Sequence, residues 1–129
     1  MVGPATVLVV EDNPQNLELV EFLLEDAGMT VVSATDAESL WTRLDEGLPD
    51  LVLMDMQLPG RDGLDLVAEI RSRFPQITAP VVALTAHAMR GDRERFLAGG
   101  CDGYIAKPID AGGFADQVRQ YLGPAGRAK

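Results

Sequence analysis

Three carboxylates, a hydroxyl and an ammonium stand at the ends of short apolar runs in this chain. Glu11-Asp12 follow Val7-Leu-Val-Val10, Asp55 follows Leu51-Val-Leu-Met54, and Thr85 follows Val81-Val-Ala-Leu84. Lys107-Pro108 follow the weaker run Gly103 to Ala106. Each has an unremarkable reading alone, since Asp and Thr cap helices and a loop lysine is usually solvated. Their shared position after the runs gives them a common meaning. Three carboxylates brought close together repel one another unless a cation joins them. A hard divalent ion with oxygen ligands fits, and Mg²⁺ suits a site built from few carboxylates with room for phosphate oxygens. A carboxylate can attack a phosphoryl group when the charge passing through the transition state is neutralised, here by Mg²⁺ and Lys107.

The elements that must position these groups follow from periodicity. The three strong runs are continuous and too short for helices, which suits strands covered on both faces of a parallel sheet. Thr30 to Ala34 and Gly103 to Ala106 bring the strand count to five. Helical spacing fills the intervals. Leu17, Val20, Leu24 and Ala27 form one stripe, opened by Asn13 as cap with Pro14 at the first position and closed by Gly28. Ala37, Leu40, Trp41 and Leu44 form a second, with Thr35 and Glu38 spaced as a capping box and Trp41 read as core. Leu64 to Phe74, Arg90 to Ala98 and Ala111 to Leu122 complete five strand-helix pairs. Strict alternation predicts an α/β fold with a parallel sheet and right-handed crossovers, in which ligands bind beyond the carboxyl ends of the strands.

Composition bounds the function. A chain of 129 residues, 47% apolar and 24% charged, is expected to form one globular domain over residues 1–129 with its core at about 6–122. Both ends, Met1 to Ala5 and Gly123 to Lys129, are expected to fray. Twenty acidic against eleven basic residues give a net charge of −9, which argues against direct binding of nucleic acid. No apolar stretch reaches the ~18 residues of a membrane span and the start lacks signal-peptide character, so no membrane insertion and a cytoplasmic location are expected. Cys101 has no second thiol to pair with and reads as a small buried residue.

Four ordered segments, Val9-Val-Glu-Asp-Asn13, Leu53-Met-Asp-Met-Gln-Leu-Pro-Gly60, Ala83-Leu-Thr-Ala-His87 and Tyr104-Ile-Ala-Lys-Pro108, resemble the receiver domains of two-component response regulators. The resemblance runs from about Thr6 to Leu122. It implies a flavodoxin-like, chemotaxis-regulator-like sheet of five parallel strands in order 2-1-3-4-5 with five helices. It implies Asp55 as phosphoryl acceptor in a phosphorelay, and Mg²⁺ held by Glu11, Asp12, Asp55 and the backbone carbonyl of Gln57. Thr85 and Lys107 would contact the phosphoryl oxygens, Thr85 and Tyr104 would form the switch, and the bond from Lys107 to Pro108 would be cis. His87 by itself reads as a partly exposed loop side chain; the resemblance implies that its position and that of Gln57 flank the path of the hydrolysing water and set signal lifetime.

Implied partners are a histidine kinase or histidine phosphotransfer protein and a downstream protein target. The chain would catalyse only its own phosphorylation and dephosphorylation. With no output segment after Leu122, it reads as a stand-alone regulator of the cell-cycle type or the receiver of a hybrid kinase. Two other readings compete. A haloacid-dehalogenase-like phosphatase also phosphorylates an Asp with Mg²⁺, but it needs an acid two residues beyond, where this chain has Gln57. A pseudo-receiver binding module would keep the fold without using phosphate.

Overall fold

The computed structural model describes residues 4–58, 60, 62–86 and 91–127, with side chains described through residue 122 of the last helix. Strands and helices alternate from end to end: β1 (Thr6–Val10), α1 (Pro14–Asp26), β2 (Thr30–Ala34), α2 (Ala37–Glu46), β3 (Leu51–Asp55), α3 (Gly63–Arg73), β4 (Val81–Thr85), α4 (Asp92–Ala98), β5 (Gly103–Ala106) and α5 (Phe114–Arg127). The strands form one parallel sheet in the order β2-β1-β3-β4-β5. Both the class and the strand order match the expectation.

The continuous apolar runs are explained by burial on both faces. Successive side chains of a strand point to opposite sides, so each run divides between two cores. Leu8, Val10, Val52, Met54, Val81 and Ala83 pack on one face with Leu40 and Leu44 of α2, Leu66 and Ile70 of α3, and Phe96 of α4. Val7, Val9, Leu51, Leu53, Val82 and Leu84 pack on the other with Val20 and Leu24 of α1 and Phe114 and Val118 of α5. The pairing register sets Val10 beside Met54 and Asp55 beside Leu84, so the carboxyl ends of β1, β3 and β4 lie level.

Local chemistry decides where the helices begin and stop. Asn13 caps α1 by accepting from the Gln15 and Asn16 N–H groups at 2.9 and 3.0 Å, with Pro14 in the first turn. Gly28, at φ 90°, ends it: the Met29 N–H reaches back to Leu24 O at 3.0 Å, as in a Schellman closure. The cap of α2 corrects the sequence reading by one residue. Asp36, not Thr35, accepts from the Ser39 N–H at 2.8 Å, and the Ser39 hydroxyl oxygen, not Glu38, accepts from the Asp36 N–H at 3.2 Å. Helix α4 starts at Asp92, and Arg90 lies outside the described residues. Helix α5 starts at Phe114 instead of Ala111, because Asp110 holds the intervening turn through the Gly112, Gly113 and Phe114 N–H groups. It runs past Leu122 to Arg127, where fraying was expected.

Trp41 also departs from a plain core role. It is half-buried at the edge of the α2–α3 layer, with Phe74 stacked on it at 6.2 Å and the Arg73 guanidinium over its ring at 4.5 Å. Cys101 is buried as expected. Burial pushes its thiol up to about 11, the Asp102 charge adds to this, and Arg71 opposes it. A raised pKa means less thiolate, about one part in 10³ at pH 8. The native protein is therefore expected to react with an aromatic disulfide reagent at least ~100-fold more slowly than the denatured chain. A native rate within a few-fold of the denatured one would show that Cys101 is open to solvent.

Candidate phosphoacceptor site

The level strand ends bring five side chains together. Glu11 follows β1 directly and keeps that strand's pairing for one more step, its N–H donating to Ala34 O at 3.0 Å. The peptide plane is thereby fixed, and the carboxyl turns inward, completely buried. Asp12 is half-buried beside it. Asp55 and Thr85 are the last residues of β3 and β4, not the first after them, and each is only 2% exposed. Lys107 enters from the end of β5, its N–H donating to Thr85 O at 2.7 Å, and the bond to Pro108 is cis as expected.

One oxygen from each of Glu11, Asp12 and Asp55 lies within 4.8 Å of the others. Lys107 Nζ stands 3.2 Å from Glu11 Oε1 and donates to Asp55 Oδ1 at 3.3 Å. The Gln57 N–H also donates to Asp55 Oδ1, at 3.0 Å, and the Asn13 N–H donates to Glu11 Oε2 at 3.2 Å. Burial pushes the Glu11 carboxyl above its ordinary range, the neighbouring Asp55 carboxyl adds to this, and the Asn13 N–H and Lys107 act the other way. Glu11 Oε1, although close to the ammonium, is buried with no hydrogen bond of its own.

These features fit a divalent ion. Three carboxylates face one ammonium at close range, and a buried carboxylate oxygen lacks a donor. Every offered atom is a hard oxygen of the kind Mg²⁺ takes.

Thr85 and Tyr104 lie on one face of the sheet. Register pairs Ala83 with Tyr104 and Thr85 with Ala106, and side chains two residues apart share a face, so Tyr104 stands beside the small Ala83 and diagonally below Thr85. Its half-buried ring packs against Phe96 at 6.2 Å. Sequence reading missed two supporting features. The Asn13 N–H steadies Glu11 as well as heading the capped turn, and Gly63 is needed for closeness: a Cβ there would lie 2.8 Å from the Met56 Cα. Neither leaves a spacing signal. For Gln57, the observed contact is its N–H on Asp55, while the expected role concerned its carbonyl. His87 lies outside the described residues.

Residues 7–119 match the family model described as the response regulator receiver domain. The chain belongs to the response regulator receiver family. It is 38% identical over 122 residues to the polar-differentiation response regulator DivK of Brucella anthropi, covering 95% of this chain and 99% of that one. Among solved structures, it is similar to the receiver domain of the sensor histidine kinase PA1611 from Pseudomonas aeruginosa. That comparison has a TM-score of 0.81 at 33% identity, over 94% of this chain and 99% of that one. The PA1611 receiver holds a magnesium ion in its active-site cleft. The chemotaxis protein CheY4 of Vibrio cholerae superposes with a TM-score of 0.85 at 23% identity over 92% and 99% of the two chains, a likeness of fold. The protein is thus a receiver of two-component signalling, a system in which such domains work with histidine kinases and downstream targets. Its Glu11, Asp12 and Asp55 cluster is of the type that forms a Mg²⁺-dependent phosphoacceptor site.

Proposed function

We propose that Asp55 takes a phosphoryl group from a phosphohistidine on a histidine kinase or phosphotransfer protein, and that the chain acts as a single cytoplasmic receiver domain with its core at about residues 6–122. The observation carrying this reading is the buried Asp55 carboxylate held by Lys107 and Gln57 within a cluster of three acids. Two donors on Oδ1 fix the plane of the carboxylate, and its second oxygen is the nucleophile. An Asp55 oxygen bonds to phosphorus as the phosphorus–nitrogen bond breaks, and the electron pair leaves with the donor's imidazole. Glu11, Asp12, Asp55 and the Gln57 carbonyl would hold Mg²⁺. When bound, the ion supplies neutralisation of the charge on the transferring oxygens. Lys107 contributes a fixed ammonium to the same end, so the domain promotes its own phosphorylation and dephosphorylation. Among the described residues, no helix is long and apolar enough to cross a membrane.

The product adds negative charge and acceptor oxygens at the end of β3. Thr85 donates its hydroxyl to them, and Tyr104, on the same face, follows into the space vacated, altering the surface near α4 and α5. Incubation with acetyl phosphate and Mg²⁺ tests the proposal. A mass gain of one phosphoryl group, lost on alkaline treatment, is expected. No uptake would favour a pseudo-receiver, and sustained turnover of a small phosphate ester would favour a phosphatase.

Thr85→Ala is expected to leave uptake largely intact. The parent's affinity for a downstream target should differ by roughly 5- to 150-fold between its two states, and the variant should narrow that ratio. Titration of both forms with the target provides the measurement. An undiminished ratio in the variant would remove Thr85 from the switch. Equal affinities for the two forms of the parent would mean that the domain only relays phosphate.

A further inference from the structure

The two outer strands of the sheet, β2 and β5, are closed in different ways. Helix α5 lies over β5: the Tyr121 hydroxyl donates to Tyr104 O at 3.3 Å, and its ring packs so closely on Gly103 that a Cβ there would run into it. At β2 the Thr30 N–H and the Ala34 carbonyl bond inward, to Ala5 O and the Glu11 N–H, so the N–H and C=O groups of Val31 and Ser33 face the open edge. Among the described residues, their cover is Arg43, whose Nε–H donates to Ser33 O at 3.0 Å. Its side chain is 41% exposed and that of its ion-pair partner Glu46 is 60% exposed, so this cover is free to move.

The rest of the edge suits an added strand. Thr30-Val-Val-Ser-Ala34 is uncharged, rich in β-branched residues and free of proline, so the strand itself carries none of the usual guards against pairing. An open cavity of about 250 Å³ lies against Val32, lined also by Leu8, Leu48, Pro49, Arg43 and Glu46. A residue paired opposite Val32 points its side chain to the same face, over that cavity. The surroundings are acidic: from Ala27 to Asp50 the chain carries Asp36, Glu38, Asp45, Glu46 and Asp50 against one base, Arg43.

We propose that the β2 edge is a docking strand for an extended, basic segment of another protein, and that Arg43 is its built-in competitor. The surface is separate from the phosphoacceptor site, since the cavity lies by Thr6 and Pro49 at the amino ends of β1 and β3, opposite Asp55. An antiparallel strand exchanges N–H···O bonds with Val31 and Ser33 and sets an apolar side chain over the cavity, so backbone pairing supplies affinity and the cavity supplies selection. Its Lys or Arg takes Glu46. Arg43 already makes both contacts within the chain, an N–H on Ser33 O and a cation 3.1 Å from Glu46, and so holds the place a basic strand takes. A second copy of this chain is a poor occupant, because it would set the same acids against each other.

The probes are blocked peptides Lys-Thr-Val-X-Val-Thr-Lys, with X as Val, Leu, Met or Phe, titrated into the full chain while amide exchange is followed residue by residue. The tightest of them should slow exchange at Val31 and Ser33, and replacing its lysines with glutamates should weaken binding at least ~10-fold. Arg43→Ala removes the competitor and should tighten binding by about 2- to 10-fold, the worth of one hydrogen bond. Val31→Pro deletes an outward N–H and leaves the pairing with β1 intact, so binding should fall below detection. N-methylation of the two valines flanking X should do the same with the protein unaltered. No binding of any peptide to the parent or to Arg43→Ala would overturn the proposal, as would equal binding of lysine and glutamate peptides or binding that survives N-methylation. Weaker binding to Arg43→Ala than to the parent would make Arg43 a contact and refute its role as competitor. Self-association of Arg43→Ala that Val31→Pro removes would assign the edge to a second copy and refute the basic partner.

Discussion

Asp55→Asn is expected to lower phosphoryl incorporation by more than ~10³-fold, to the background of the assay, while the fold persists. The carboxamide has nearly the shape of the carboxylate, and its oxygen can still accept from the Gln57 N–H and from Lys107, which meet Oδ1 at 3.0 and 3.3 Å. What is lost is the anionic oxygen that bonds to phosphorus. Stability should rise, not fall. Asp55 is 2% exposed and lies in a cluster with Glu11 and Asp12, so removing its charge relieves like-charge repulsion at a place water cannot screen. Intact mass after acetyl phosphate and Mg²⁺ measures the first effect, and thermal denaturation measures the second. Phosphate retained on another residue of a folded variant would mean that the acceptor has been misplaced.

The same geometry shows why the site could be read from the sequence while parts of its frame could not. Glu11, Asp55, Thr85 and Lys107 each sit where an apolar run ends. In a parallel sheet that position has one spatial meaning, because the carboxyl ends of neighbouring strands lie level. The runs were legible because burial on both faces demands uninterrupted Val, Leu and Ala. Helix starts were less so. Thr35 and Glu38 satisfy the spacing of a capping box as well as Asp36 and Ser39 do, and only the backbone decides which pair is used. The late start of α5 has the same origin: Asp110 makes a turn of Ala111-Gly-Gly, a stretch whose spacing alone cannot separate loop from first helical turn. Gly63 left no trace, since nothing in the chain announces that a Cβ at that position would meet Met56.

Trp41 marks a different limit. Its place on the apolar stripe of α2 shows which face is inward and does not show how far the neighbouring layer extends. The ring meets the C-terminal end of α3, where Phe74 stacks on it and Arg73 lies over it. Periodicity reports direction, whereas depth depends on elements distant in the chain.

Asp12→Ala separates the metal from the fold, since Asp12 is the one member of the acidic cluster that is only half-buried. Glu11 and Asp55 keep their contacts with Lys107 in the variant, so the domain should fold. With one repelling carboxylate fewer, it should be no less stable than the parent in the absence of Mg²⁺. The consequence appears when Mg²⁺ is added. A ligand that binds only the folded state stabilises it by RT ln(1 + [L]/Kd), about 1.4 kcal/mol at ten times Kd. Loss of one of so few protein ligands should weaken binding by at least ~10- to 100-fold, and most of that increment should vanish at the same concentration. Acetyl phosphate labelling should fall in parallel, and the parent in excess chelator should behave as the variant does. Thermal melts with and without Mg²⁺, run beside the labelling assay, measure both effects on one sample. An equal Mg²⁺-induced shift in parent and variant would place the ion elsewhere. Undiminished labelling of the parent in chelator would show that Lys107 alone neutralises the transferring phosphoryl group.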